Sequence, residues 1–421
     1  MEIPVIGTTD ILQRYRKVRK QSEELCRPLS QEDYVVQPVI DVSPPKWHLA
    51  HTTWFFETFL LQSFMADYKV FDEDYDYLFN SYYEAVGDRV LRADRGNLTR
   101  PGVNEVYAYR KYVDEAMDNL LNGENSLNGE FHKLLEIGLQ HEQQHQELLI
   151  TDIKYILGHN PVFPTYFEEK SVLHNEQGRI AGFLEVPEGI YHIGHQGAGF
   201  CFDNELGTHQ VYLPAYKIMD RLVTNLEYLE FMQAGGYTDF RFWLMEGWDW
   251  VKAHKVRNPL YWHHFEDKWH SYNLRGLQPL DENAPVTHIS FFEADAYARW
   301  KGMRLPTEFE WEAACKMYQP QVPDKAEFQE MWQFIPLTAS GNFQFYGDAW
   351  EWTGSAYRPY PYFRQEDGAL GEYNGKFMIN QMVLKGGSCA TPRDHIRATY
   401  RNFFHPHLRW QFTGIRLATH I

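Results

Sequence analysis

Leu139-Gln140-His141-Glu142-Gln143-Gln144-His145-Gln146-Glu147-Leu148-Leu149 sets two imidazoles four residues apart inside a strong helical pattern. At 3.6 residues per turn, His141 and His145 lie one above the other on one face, the spacing at which two imidazoles can share a metal ion. Leu134, Gly138, Leu148, Leu149 and Asp152 fall on or beside the same stripe, so this face looks into the protein. Buried imidazoles need partners, and a metal ion satisfies both. The same string fits the HExxH pattern of zinc hydrolases, in which Glu142 would be the general base, and that reading needs a cleft beside the helix.

Working outward, the first 160 residues read as four helices joined by one long loop: about 9–26, 44–57, 104–121 and 129–157, the last carrying His141 and His145. The second opens at Ser43-Pro44-Pro45, where Ser43 can cap and Pro44 can occupy the first turn. Trp47, His51, Phe55, Thr58 and Phe59 share its inner face, which makes His51 the third imidazole. His48, one turn earlier and nearer the edge of that face, is the competing choice. A bundle that holds ligands on facing helices is the architecture this pattern predicts.

Between the second and third helices runs a loop with adjacent tyrosines, Tyr82 and Tyr83, and two arginines three apart, Arg92 and Arg95. A guanidinium offers a planar fork to a carboxylate, and a phenol can donate a proton or hydrogen atom. A solvated loop with salt-bridged arginines has the same spacing.

The formal net charge of −17 argues against a nucleic acid or an anionic membrane as partner and leaves a small molecule as the expected ligand. No run of about 18 apolar residues occurs, and Met1-Glu2-Ile3-Pro4 does not begin a secretion signal, so the expected location is the cytoplasm. The cysteines, Cys26, Cys201, Cys315 and Cys389, have no CxxC spacing, so any metal must use His and carboxylate.

Residues 161–181 read as a linker, and beyond them the periodicity changes to short strand-like runs with helices at about 225–233, 290–301 and 308–317. GIYHIG (189–194), LVTNLEY (222–228), PVTHIS (285–290), RLPTEFEWE (304–312), GDAWEWT (347–353), KGGS (385–388) and GIRLA (414–418) resemble, in order, the formylglycine-generating-enzyme domain with its C-type-lectin-like core. Cys315 and Cys389 give no reason to be paired as that enzyme's thiols, so the domain alone does not imply formylglycine formation. The first part, through LAH (49–51) and HEQQHQE (141–147), resembles a DinB-like four-helix bundle. The expected fold is therefore α+β multidomain: a DinB-like bundle over 1–160, a linker, and a formylglycine-generating-enzyme-like domain over 182–421.

In this order the two domains resemble the ergothioneine-pathway sulfoxide synthases. The resemblance implies an Fe(II), O2-dependent enzyme joining the sulfur of cysteine or γ-glutamylcysteine to the imidazole of hercynine (Nα-trimethylhistidine), with His51, His141 and His145 as the metal ligands. It further implies Tyr82 or Tyr83 as the donor, Arg92 and Arg95 on the carboxylate of the thiol substrate, and Gln144 on the hercynine imidazole. Asn402, Phe403 and Phe404, within YRNFFHP (400–406), would line the trimethylammonium end, where aromatic faces favour a quaternary cation. A zinc-dependent thiol transferase on the same bundle, a selenium-inserting synthase and a non-catalytic binding protein are the alternatives.

Overall fold

A computed structural model describes residues 8–123, 129–167, 179–324, 334–336, 338–339, 343–365, 371 and 374–421. The chain divides into two compact units, the first built on residues 1–167 and the second on 168–197, 201–365 and 374–421. Of the expected linker, residues 168–178 lie outside the described ones. No helix among the described residues is long and apolar enough to cross a membrane. The four cysteines form no disulfide.

The first unit is helical. Its long elements are α1 (Thr8–Cys26), α2 (Pro45–Phe56), α5 (Val103–Asn122) and α6 (Gly129–Gly158), and their bounds fall within a residue or two of those predicted. A π-helical turn, Glu57–Leu61, extends α2 into α3 (Gln62–Phe64), and the connection to α5 contains a short α4 (Tyr75–Phe79). The outer helices show the expected stripe: α5 buries Val106, Tyr109, Arg110, Val113, Met117 and Leu121 at spacings of three and four. The central helix α2 differs, because every one of its residues is buried. A helix with no polar face sits inside a bundle, covered on all sides.

One expectation about α2 is corrected. Pro44 occupies the capping position and Pro45 the first turn, and Ser43 makes no cap. Its amide instead donates to Asp152 Oδ2 at 2.8 Å, and its hydroxyl accepts from Arg95 Nη1 at 2.9 Å.

Glu142 ties the bundle together. It accepts from Ser22 Oγ at 2.6 Å and Arg19 Nη1 at 2.8 Å, both on α1, and from Arg110 Nη2 on α5 at 3.0 Å. Arg19 and Arg110 also donate to Thr53 Oγ1 on α2, and Arg110 to the Leu49 carbonyl. Burial would raise the Glu142 carboxyl's pKa, but Arg19, Arg110 and Ser22 outweigh it and hold the group below its ordinary value. This corrects the zinc-hydrolase reading, since both Glu142 oxygens are held by Arg19, Ser22 and Arg110 on α1 and α5, and a carboxylate bound into those ion pairs is not poised as a general base.

The second unit is α+β. Strands β1 (Phe183–Val186), β4 (Tyr216–Met219) and β12 (Ala418–His420) form one antiparallel sheet with β4 central. β2 (Gly189–Ile193) and β3 (His209–Leu213) make a two-stranded ribbon, and β5 (Trp262–Phe265), β6 (Lys268–Asn273) and β7 (Gly276–Pro279) a meander. A fourth sheet has the order β10 (Asn402–Phe404), β9 (Met382–Lys385), β8 (Trp350–Ala356), β11 (Thr413–Gly414), with β11 parallel to β8. Helices α7 (Asn225–Gln233), α9 (Phe291–Trp300) and α10 (Glu308–Tyr318) lie where the sequence places helices. Helix α8 (Met245–His254) was not foreseen, because its tryptophan-rich sequence has an internal glycine and no side-chain cap.

The motifs of the second half meet in its core. Arg416 donates to Glu351 at 2.6 Å, Trp311 Nε1 donates to the same carboxylate at 2.7 Å, and Lys385 pairs with Glu312 at 3.2 Å, all fully buried. Gly386 is required between them: its φ is +102°, and a Cβ there would lie 2.6 Å from the Phe345 carbonyl oxygen.

Removing Glu142 should leave Arg19 and Arg110 buried without their counter-charge. Glu142→Ala is expected to lose about 3–5 kcal/mol in urea unfolding; near-wild-type stability with a lost rate would restore the hydrolase reading.

Candidate metal centre

The rotation that Glu142 fixes turns the next face of α6 toward α2. There His51, His141 and His145 each offer a ring nitrogen, and these atoms lie within 4.8 Å of one another. Ring centroids are 5.0 Å apart for His51 and His141, 4.7 Å for His51 and His145, and 4.6 Å for His141 and His145. His51 is sandwiched between Trp47, at 4.6 Å and 13°, and Trp54, at 5.6 Å and 18°. His141 packs on Phe55 at 4.9 Å.

Hydrogen bonding orients the His51 ring. Its Nδ1 lies 2.6 Å from the Phe79 carbonyl oxygen, which can only accept, so Nδ1 carries the proton and Nε2 presents a lone pair. That Nε2 is buried and has no hydrogen-bond partner among the described residues, so a metal ion fits it. A set of three imidazoles suits iron, zinc or copper.

His48 is adjacent to the cluster. Its Nδ1 meets His145 Nδ1 at 2.9 Å and its Nε2 meets Asp152 Oδ2 at 2.9 Å. Sequence reasoning missed this arrangement. The visible signal was only that Asp152 shares the stripe of His141 and His145 and that His48 lies one turn before His51.

The loop residues divide. Arg95 is buried, with its guanidinium carbon 3.4 Å from the Trp47 ring centroid, on the tryptophan that stacks against His51. Among the described residues its hydrogen-bond partner is the Ser43 hydroxyl, no carboxylate pairs with it, and its buried Nε has no acceptor. Burial first, then the charges of Arg92 and Arg89, push its pKa well below the ordinary arginine value against the opposing pull of Asp152. Arg92 is exposed and donates to the Asp41 carbonyl.

Tyr83 is fully buried, 5.7 Å from Trp54 and 5.4 Å from Phe59, with Tyr82 half-buried beside it at 4.7 Å. Gln144 is half-buried on α6 between the two histidines. Asn402, Phe403 and Phe404 belong to the second unit, half-buried on β10, with Phe403 stacked on Tyr357 at 4.1 Å.

The sulfatase-modifying factor enzyme 1-like domain matches residues 168–421, and the DinB superfamily matches residues 14–149. The hercynine oxygenase of Mycolicibacterium smegmatis is 30% identical over 410 residues, spanning 90% of this chain and 91% of that protein. The chain belongs to the hercynine oxygenase family. The hercynine oxygenase of Mycobacterium tuberculosis is 34% identical over 249 residues, 51% of this chain and 55% of that protein. Ergothioneine biosynthesis protein 1 of Schizosaccharomyces pombe is 27% identical over 230 residues, 52% of this chain and 27% of that protein.

In this member of the family the imidazoles are held neutral. Burial pushes His141 down to about 3, and burial followed by the neighbouring imidazoles holds His51 and His145 well below the ordinary value. Burial also lowers His48, with Asp152 opposing. Below about pH 6.5 the unfolded chain therefore binds protons that the folded, metal-free chain refuses, so stability rises with pH in that range. The melting temperature of the metal-free protein should fall steadily as pH is lowered from about 7 toward 4, and His141→Gln should flatten part of that slope.

Proposed function

We propose that this chain is an iron(II)- and oxygen-dependent sulfoxide synthase of ergothioneine biosynthesis, forming the C–S bond between hercynine and cysteine or γ-glutamylcysteine. The observation that carries the proposal is the joint demand of one site for a metal and an anion: three inward imidazoles, and across Trp47 a buried guanidinium with no carboxylate partner among the described residues. The family membership supplies the reaction class.

His51, His141 and His145 would hold the ion. Bound there, iron(II) supplies open coordination positions and one-electron chemistry toward O2. Arg95 meets the carboxylate of the thiol substrate, which removes the buried charge's deficit and places the sulfur in reach of the imidazole cluster. Arg92, at the exposed end of the same turn, adds a long-range attraction. Gln144 orients the imidazole of hercynine from its place between two ligands. Tyr83, or Tyr82 beside it, is the proton or hydrogen-atom donor, supported by the contact of Tyr83 with Trp54, itself stacked on His51. Asn402, Phe403 and Phe404 keep, as part of this proposal, the role of receiving the trimethylammonium group, supported by the aromatic character of β10.

Oxygen uptake by the anaerobically iron-loaded protein tests this reading. Uptake that requires hercynine together with one of the two thiols, with a hercynyl sulfoxide found by mass spectrometry, is the expected result. Silence with both thiols and activity only in the zinc form would favour the thiol transferase.

Arg95→Ala should raise the KM for the thiol by about 10–100-fold with a smaller change in kcat, and Arg92→Ala should have a lesser effect because its guanidinium is exposed. Tyr83→Phe or Tyr82→Phe should divert oxygen use from C–S bond formation to thiol oxidation. Unchanged sulfoxide yield in both would remove the tyrosines from the chemistry.

A further inference from the structure

We propose that His48 and Asp152 are positioning residues that fix the tautomer of His145, so that its Nε2 presents a lone pair to the metal. This rests on the reading of His145 as a ligand.

The argument starts at Ser43. Its backbone amide, which can only donate, lies 2.8 Å from Asp152 Oδ2, so that oxygen is an acceptor. His48 Nε2 lies 2.9 Å from the same oxygen. A carboxylate oxygen has a second lone pair, so the contact is satisfied when His48 Nε2 carries the proton. The neutral ring then has a bare Nδ1. That Nδ1 faces His145 Nδ1 at 2.9 Å, a separation at which exactly one of two nitrogens must hold a hydrogen, and only His145 can supply it. His145 with its proton on Nδ1 has its lone pair on Nε2.

The outcome parallels the one the Phe79 carbonyl imposes on His51. Two imidazoles, one from α2 and one from α6, are thus set to the same tautomer by different acceptors. The His145 device spans the bundle: Ser43 just precedes α2 and His48 lies in its first turn, while Asp152 is seven residues beyond His145 on α6. A ligand's hydrogen-bond partner of this kind typically changes metal affinity by about 10–100-fold when removed.

Cobalt(II) binding to the full chain, followed by absorption with a competing chelator, tests the inference without reference to activity, alongside melting of each metal-free variant. His48→Leu and Asp152→Ala should each weaken cobalt(II) binding by about 10–100-fold. His48→Gln should restore most of it, since its amide oxygen can accept from His145 Nδ1 while its amide nitrogen donates to Asp152. Wild-type affinity in His48→Leu and Asp152→Ala would overturn the proposal. Equal losses in His48→Gln and His48→Leu would overturn it too, because they would mark a packing role. His145→Ala separates the two readings: if it also binds as the wild type does, His145 is no ligand and the three-histidine reading itself fails.

Discussion

The first unit depends on one buried carboxylate. Glu142 lies between the two histidines of α6 in sequence but faces away from them, into two arginines and a serine from two other helices. A buried ion pair adds little net stability against a well-packed apolar alternative, yet breaking one is expensive. Its effect is therefore on geometry more than on depth. With Glu142 held, α6 can take only one rotation about its axis, and that rotation presents His141 and His145 to α2. Gly138, one turn earlier, permits the close approach: a Cβ there would lie 2.8 Å from the Phe56 ring.

The site carries two electrostatic deficits that the fold tolerates. Several imidazoles crowd one another in surroundings too dry for any to be charged, and a guanidinium lies buried against Trp47 with no carboxylate paired to it among the described residues. The indole face returns up to about 2 kcal/mol to a desolvated cation, less than the several kcal/mol that an unpaired buried ion costs. Both deficits are relieved by ligands of opposite character, a cation for the nitrogens and an anion for the guanidinium. The two are joined through Trp47, whose ring carries the Arg95 guanidinium at 3.4 Å and the His51 imidazole at 4.6 Å.

Much of the bundle was legible because it rests on local periodicity. The spacing of His141 and His145 and the inward face of α2 were enough to bring three imidazoles together, and the structure does so. What escaped depends on contacts distant in sequence. His48 read as a rival ligand because nothing local reveals Asp152, 104 residues away, on its far nitrogen. Ser43 read as a cap because its neighbours favour one, whereas tertiary partners claimed both its amide and its hydroxyl. Glu142 fitted a catalytic pattern until Arg19 and Arg110 accounted for its oxygens. In the second unit the motifs that carried the family resemblance mark the core, where Arg416, Glu351, Trp311, Lys385 and Glu312 interlock, which is why they announce a fold more clearly than a reaction.

The complete burial of α2 bears on how such a chain can change over generations. Twelve consecutive residues, Pro45 to Phe56, have no surface on which a substitution passes unnoticed. A side chain there touches other helices whichever way it points, so single replacements are felt at once and tolerated ones must come with a matching change opposite. Drift along this segment is therefore concerted: in a collection of such sequences, α2 should vary by correlated pairs with α5 and α6, while the stripes of α1 and α5 that face water vary one position at a time.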